Sequence, residues 1–258
     1  MRWTALLLAG QRPGTDPLAA HFGETWKALV EVGGEPMLSR VARTLLDSSA
    51  IDRIVVLAQS PESLTARPDT AWLRTEPRIA FAVSASSISL SVASVAGDAA
   101  PWPVLVTTAD HALLTPDVVD NFVAGVGDAD IAVGFVERRT LLAGYPDSQR
   151  TWLKFKGGAY SGANLFALTS PRARAALKLW ATVEQDRKKG WKLVAAFGPW
   201  LLIRALTRTI TLQAGLAASG RRLDLKARAV VLPQAEAAID VDKPADHRLA
   251  EHILTLRG

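Results

Sequence analysis

The sequence predicts an α/β fold of three layers, a mostly parallel mixed sheet held between helices. Short apolar runs near 3–9, 53–58, 79–83, 103–107 and 129–136 read as buried strands, and they alternate with helical stretches near 36–47, 87–97 and 116–124. The composition, 49% hydrophobic and 21% charged, is that of a packed domain and excludes wholesale disorder. The 258 residues show no Gly/Ser-rich linker and no internal repeat. A single domain is therefore expected over 1–258, with the alternating pattern filling 1–136 and a different, more helical pattern filling 137–258.

The first strand, within Thr4–Leu8, ends in Ala9-Gly10 and gives way to a loop with Arg12, Pro13 and Gly14. A glycine after a buried strand lets backbone N–H groups approach an anion, and Arg12 and the later Lys27 add charge for the same phosphates. The loop matches neither G-x-x-x-x-G-K-[ST] nor G-x-G-x-x-G, so it belongs to neither standard phosphate motif. The segment Glu31–Pro36 with Gly33 and Gly34 then leads into the helix near 36–47.

Two later strand ends carry polar groups. Ser84–Ser91 follows the strand near 79–83, and Thr107-Thr108-Ala109-Asp110 follows the apolar Val104–Val106. Ligands of open parallel sheets bind beyond the carboxyl ends of strands, so one crevice can collect the Gly10 loop, these serines and Asp110. Asp110 could instead cap the helix that follows Leu113. In the second half, Gly157-Gly158 and Ser161-Gly162 bracket a turn, Pro171–Lys189 reads as a helix, and Gly198-Pro199 should break the apolar run Trp191–Leu206.

Four stretches in order carry a resemblance. They are Leu8-Ala9-Gly10 with Arg12, Lys27 and Gly34-x-Pro36-Met37-Leu38; Thr107–Asp110 with Leu113–Pro116; Ser161-Gly162-Ala163-Asn164; and Ile239–Asp246, an Asp-x-Asp-x-Pro-x-Asp segment. Together they resemble the MobA-like nucleotidyltransferases, relatives of the molybdenum-cofactor guanylyltransferases and of the sugar-phosphate and methylerythritol nucleotidylyltransferases. The loop departs from that pattern at Gly10-Gln11, and its Arg comes early.

The resemblance implies a Rossmann-like (GT-A-like) nucleotidyltransferase fold with a nucleotide-binding half, 1–136, and an acceptor-binding half, 137–258. It implies Mg²⁺-dependent transfer of a nucleoside monophosphate from a nucleoside triphosphate to a phosphorylated acceptor, releasing pyrophosphate. Catalysis falls to Lys27, Asp110 and Asp242, and metal binding to Asp110 and Asp242, with Asp240 the lesser candidate. Leu8, Ala9, Gly10, Arg12, Lys27, Ser86, Ser89, Ser91 and Thr108 would line the nucleotide. Ser161, Gly162 and Asn164 would meet the acceptor, with Lys154 and Lys156 just before that turn. Asp240 and Asp242, two apart, would share a face of an extended segment, although an Asp ahead of Pro244 is also a capping arrangement.

Other classes are less favoured. The absence of cysteine excludes disulfides and thiolate metal sites. The four histidines have no metal-ligand spacing, and only His111 lies beside a candidate site residue. The net charge of +5 suits an anionic substrate, but the basic residues, including Arg187–Lys189 and Arg221-Arg222, are dispersed and carry no nucleic-acid signature. Met1 runs directly into the loop without a signal-peptide pattern, so a cytoplasmic protein is expected. Trp191–Leu206 is too interrupted to span a bilayer and reads as core or a homodimer face, with contact at a membrane surface the lesser reading. The alternatives are a nucleotide-sugar glycosyltransferase, for which Asp240-Val241-Asp242 is placed too late in the chain, and a non-catalytic nucleotide-binding regulator.

Overall fold

The computed structural model describes residues 2–185 and 198–257. The main sheet contains β1 (Trp3–Leu8), β4 (Ile51–Ala58), β5 (Ile79–Val83), β6 (Val104–Thr108), β7 (Ile131–Glu137), β8 (Leu153–Phe155), β9 (Gly158–Leu168) and β10 (Ala227–Leu232). Its order is β10-β7-β9-β6-β1-β4-β5, with β8 paired to the start of β9. A separate hairpin joins β2 (Glu31–Val32) to β3 (Glu35–Pro36) through Gly33 and Gly34, whose φ values of 63° and 71° suit a tight turn that side chains resist.

The central strands are apolar on both faces because both faces are covered. Ala5, Leu7, Ile54, Val56 and Leu105 enter one core, while Leu6, Val55, Leu57, Val104 and Val106 enter the other. The first core is closed by the helices Met37–Asp47, Pro116–Val126 and Pro244–Arg257, through Leu38, Val41, Phe122 and Ile253. The second is closed by the helices Ile88–Val95 and Arg174–Gln185, through Val92, Val95 and Leu177. This is the expected three-layer α/β architecture, with strand ends within a few residues of the expected ones.

The second half corrects the sequence reading at two places. Of the stretch expected as a turn, Gly157 lies in the β8–β9 turn, but 158–162 is the start of β9, which runs antiparallel between β6 and β7. Val133 opposes Phe166 and Phe135 opposes Gly162, so β9 carries two extra residues there, and Asn164 sits in that bulge with φ 48°. All other main-path strands run together, so the carboxyl ends of β1, β4, β5, β6, β7 and β10 and the amino end of β9 share one edge. The helix expected over Pro171–Lys189 is a 3₁₀ turn, Pro171–Ala173, followed by Arg174–Gln185. Residues 186–189 of that expectation, and residues 191–197 of the apolar stretch, lie outside the described residues. Gly198, at φ 78°, precedes the helix Pro199–Leu206, the break expected of Gly-Pro.

Candidate active site

Three segments meet at the shared edge. Backbone bonds continue the sheet beyond its strands: Ala9 N–H donates to Leu57 O at 2.8 Å and Ala109 N–H to Leu8 O at 2.9 Å. The nucleotide-loop candidates Leu8, Ala9 and Gly10 therefore lie beside Thr108 and Asp110. The Val241 N–H donates to the Asp110 carbonyl at 2.9 Å, which brings the Asp240–Asp242 segment to the same point.

Lys27 is the hub. Its Nζ donates to Asp110 Oδ2 at 2.6 Å and also to Asp242 Oδ1. Burial opposes a charge on Lys27, but the charges and hydrogen bonds of Asp110 and Asp242 outweigh it and hold the ammonium above the usual lysine range. Burial likewise opposes ionisation of Asp242, yet the Lys27 bond and charge keep its carboxyl below the ordinary range. The Thr108 hydroxyl donates to the other Asp110 oxygen at 2.5 Å.

Neither aspartate caps a helix. Thr115 accepts the Val118 N–H at the start of the helix Pro116–Val126, and Asp246 accepts the N–H groups of Asp242 and Lys243 at 3.3 and 3.0 Å. Both carboxylates are thereby released for Lys27.

Gln11, which replaces the expected loop glycine, fixes Lys27 from the other side. Its side chain accepts the Lys27 N–H at 2.9 Å and donates to Thr25 O at 3.0 Å, while Gln59 brackets its backbone at 2.7 and 3.2 Å. A Cβ on Gly10 would lie 3.0 Å from Gln59 Oε1, so glycine there permits the clamp. Arg12 is exposed and, among the described residues, pairs with no carboxylate.

Asp240 and Asp242 have different partners despite their spacing. Asp240 is held by Arg150, whose Nη1 meets its carboxylate and whose Nη2 donates to its carbonyl at 2.8 Å, and by Asn164 Nδ2 at 3.2 Å. Burial pushes the Asp240 carboxyl upward, against the Arg150 charge and with repulsion from Asp242 and Asp110. Sequence reasoning missed Arg150 and Gln11. Only the loop's departure from the glycine pattern marked Gln11, and nothing marked Arg150.

The serines divide. Ser86 is exposed, whereas Ser89 and Ser91 are buried, and Ser91 secures its own loop by accepting the Ala85 N–H at 2.9 Å and donating to Ser87 O at 2.7 Å. Ser161 is buried and Gly162 exposed on β9 opposite Val136 and Phe135. His111 is only 1% exposed, so it faces the core rather than the crevice; burial lowers its pKa to about 4 although the Asp110 charge opposes this.

A profile of the MobA-like NTP transferase domain matches residues 5–223. The chain belongs to the MobA-like NTP transferase family. This is a family of nucleotidyltransferase enzymes. A solved structure described as a hypothetical transferase from Thermus thermophilus is 27% identical, with a TM-score of 0.79 over 96% of this chain and 100% of that one. The fold is shared with 4-diphosphocytidyl-2C-methyl-D-erythritol synthase from Anaerococcus prevotii DSM 20548, at 11% identity, TM-score 0.60, 98% of this chain and 99% of that one. It is also shared with CMP:2-keto-3-deoxy-manno-octonic acid synthetase solved with CTP, at 13% identity, TM-score 0.59, 99% of this chain and 100% of that one. No curated protein sequence matches. Among the described residues, no helix of this family member is long and apolar enough to cross a membrane.

Proposed function

We propose that the protein is a Mg²⁺-dependent nucleotidyltransferase that moves a nucleoside monophosphate from a nucleoside triphosphate to a phosphorylated small-molecule acceptor. The observation that supports this best is the convergence of Asp110 and Asp242 on one buried ammonium, Lys27, at the sheet edge where the Gly10 loop ends. An acceptor phosphate oxygen attacks the α-phosphorus, the bond to the β-bridging oxygen breaks, and pyrophosphate leaves. That phosphate is already ionised at neutral pH, so the protein's task is alignment and charge neutralisation rather than proton removal.

The donors fit a divalent metal. Two carboxylates already share one cation, and every candidate ligand atom is oxygen. Among the described residues no third carboxylate or imidazole completes a protein cage, which suits Mg²⁺, an ion that takes one or two carboxylates together with substrate phosphates. Asp110 and Asp242 would hold it, and it would supply charge to the triphosphate oxygens. Asp240 is better assigned to positioning, because Arg150 and Asn164 occupy its carboxylate.

Lys27, released from its carboxylates, would donate to the α-phosphate and the departing pyrophosphate. Arg12 and the backbone at Leu8–Gly10 would hold the outer phosphates, and Thr108 would orient Asp110. Ser86 is the serine best exposed to a base, while Ser89 and Ser91 shape its loop. Ser161, Gly162 and Asn164 would border the acceptor. A triphosphate donor is consistent with a cytoplasmic enzyme. The test is pyrophosphate release from each triphosphate with Mg²⁺ and a panel of sugar and alcohol phosphates. Release that depends on acceptor and metal, and is lost in Asp110→Ala, is expected; release of nucleoside diphosphate from nucleotide sugars instead would overturn the reading.

A further inference from the structure

A second basic site lies along the same edge of the sheet. The β8–β9 hairpin and the turn after the helix Pro199–Leu206 enclose a cavity of about 520 Å³ lined by Arg138, Trp152, Lys154, Phe155 and Arg208. Three of the lining residues are cations and none is an acid. Among the described residues, Arg138, Lys154 and Arg208 pair with no carboxylate, and the acid next to Arg138, Glu137, is taken by Arg139 at 2.6 Å. Elsewhere at this edge Lys27 has two aspartates and Arg150 has Asp240, while Arg12 stands on the phosphate loop after β1.

The cavity is built from fixed parts. Lys156 N–H donates to Ile210 O at 2.9 Å and ties the hairpin to the turn that carries Arg208. Arg208 itself holds φ 55°, a left-handed conformation that non-glycine residues adopt rarely. The floor is aromatic and half-buried, with the Arg138 guanidinium 5.8 Å from the centre of the Trp152 ring. Trp152 is two residues from Arg150, so the cavity begins within about 8 Å of backbone from the group that holds Asp240.

Uncompensated cations around a concave floor raise the local concentration of anions, and a phosphate bound between Arg and Lys side chains gains charge-assisted hydrogen bonds. We propose that this cleft is a second anion site, separate from the lysine–aspartate centre, and that it takes a phosphomonoester of the acceptor other than the phosphate that reacts. The acceptor then carries two anionic groups, with its body lying against Trp152 and Phe155. The acceptor role rests on the reaction proposed above; the anion site itself does not.

Phosphorus NMR titration of the full chain with inorganic phosphate, with and without Mg²⁺ and each nucleoside triphosphate, reads the site directly. Phosphate should bind and remain bound when triphosphate saturates the other centre. Lys154→Ala/Arg208→Ala should weaken it roughly tenfold or more without changing triphosphate binding, and Lys154→Arg should retain it. No phosphate binding, displacement by triphosphate, or equal binding by the double variant would overturn the proposal. Phosphate binding through these residues in a chain that binds no triphosphate would instead refute the proposed reaction and leave the anion site standing. Glycerol 3-phosphate and vesicles containing phosphatidic acid then separate a soluble phosphomonoester from a lipid headgroup. Binding of either through Lys154 and Arg208 supports the site, and binding of neither overturns it.

Discussion

Replacing Lys27 by Met keeps the length of the side chain and removes the one cation that Asp110 and Asp242 share. Lys27 and Asp110 are 16% and 19% exposed, so that half of the network is poorly solvated, whereas Asp242 is 52% exposed and can turn to water. Removing one partner of a fully buried pair costs about 3–5 kcal/mol. Here the open side of Asp242 and the retained Thr108 bond to Asp110 reduce that to about 2–3 kcal/mol. Urea unfolding at pH 7 without divalent ions measures it. Two carboxylates stripped of their ammonium form a better cation site, so Mg²⁺ alone should restore part of the stability of Lys27→Met and stabilise the wild type less. Turnover should still fall by about 10²–10³, the loss expected from one preorganised donor. A variant as stable as wild type, or one that responds to Mg²⁺ no more than wild type does, would refute the shared-cation account.

Three further outcomes are expected. Asp110→Ala should lower acceptor-dependent pyrophosphate release by about a hundredfold or more while circular dichroism shows the fold retained; activity near wild type would remove Asp110 from the centre. Arg150→Ala strands the Asp240 carboxylate and should destabilise by about 2–4 kcal/mol, and adding Asp240→Asn should recover at least half of it, so strictly additive losses in a double-mutant cycle would contradict the pairing. His111 is buried neutral with a pKa lowered to about 4, so the unfolded chain binds its proton first. Its contribution is complete above the unfolded value near 6.5 and is lost as pH falls toward 4, by about 3 kcal/mol between pH 7 and pH 4. Urea unfolding of wild type and His111→Phe across that range should show a shallower pH dependence in the variant, and parallel curves would refute it.

What the sequence disclosed follows from how locally each feature is encoded. Stretches buried on both faces must be apolar, so Ala5–Leu8 of β1, Ile54–Ala58 of β4 and Val104–Val106 of β6 stand out as unbroken runs. Asp110 was visible because its strand ends beside it. The strand β9 is hidden because its first residues, Gly158 to Gly162, hold two glycines and a serine and resemble a turn; only pairing with β8 and with β7 makes them a ladder. The Arg150–Asp240 pair joins residues 90 apart, and no periodicity or motif records such a contact. Gln11 lay in plain view as a departure from the glycine pattern, but its clamp on the Lys27 backbone depends on Gln59 at the end of a neighbouring strand. The differing partners of Asp240 and Asp242 were illegible for the same reason, since spacing fixes a face and not a partner.

The most direct test is a thermal-shift panel of ATP, GTP, CTP and UTP, each with and without Mg²⁺, on the wild type and on Asp110→Ala/Asp242→Ala. A ligand that binds the native state raises its melting temperature. The account predicts a base-selective upward shift that requires Mg²⁺ in the wild type and is lost in the double variant; no shift with any triphosphate, or an equal shift in the double variant, would contradict it.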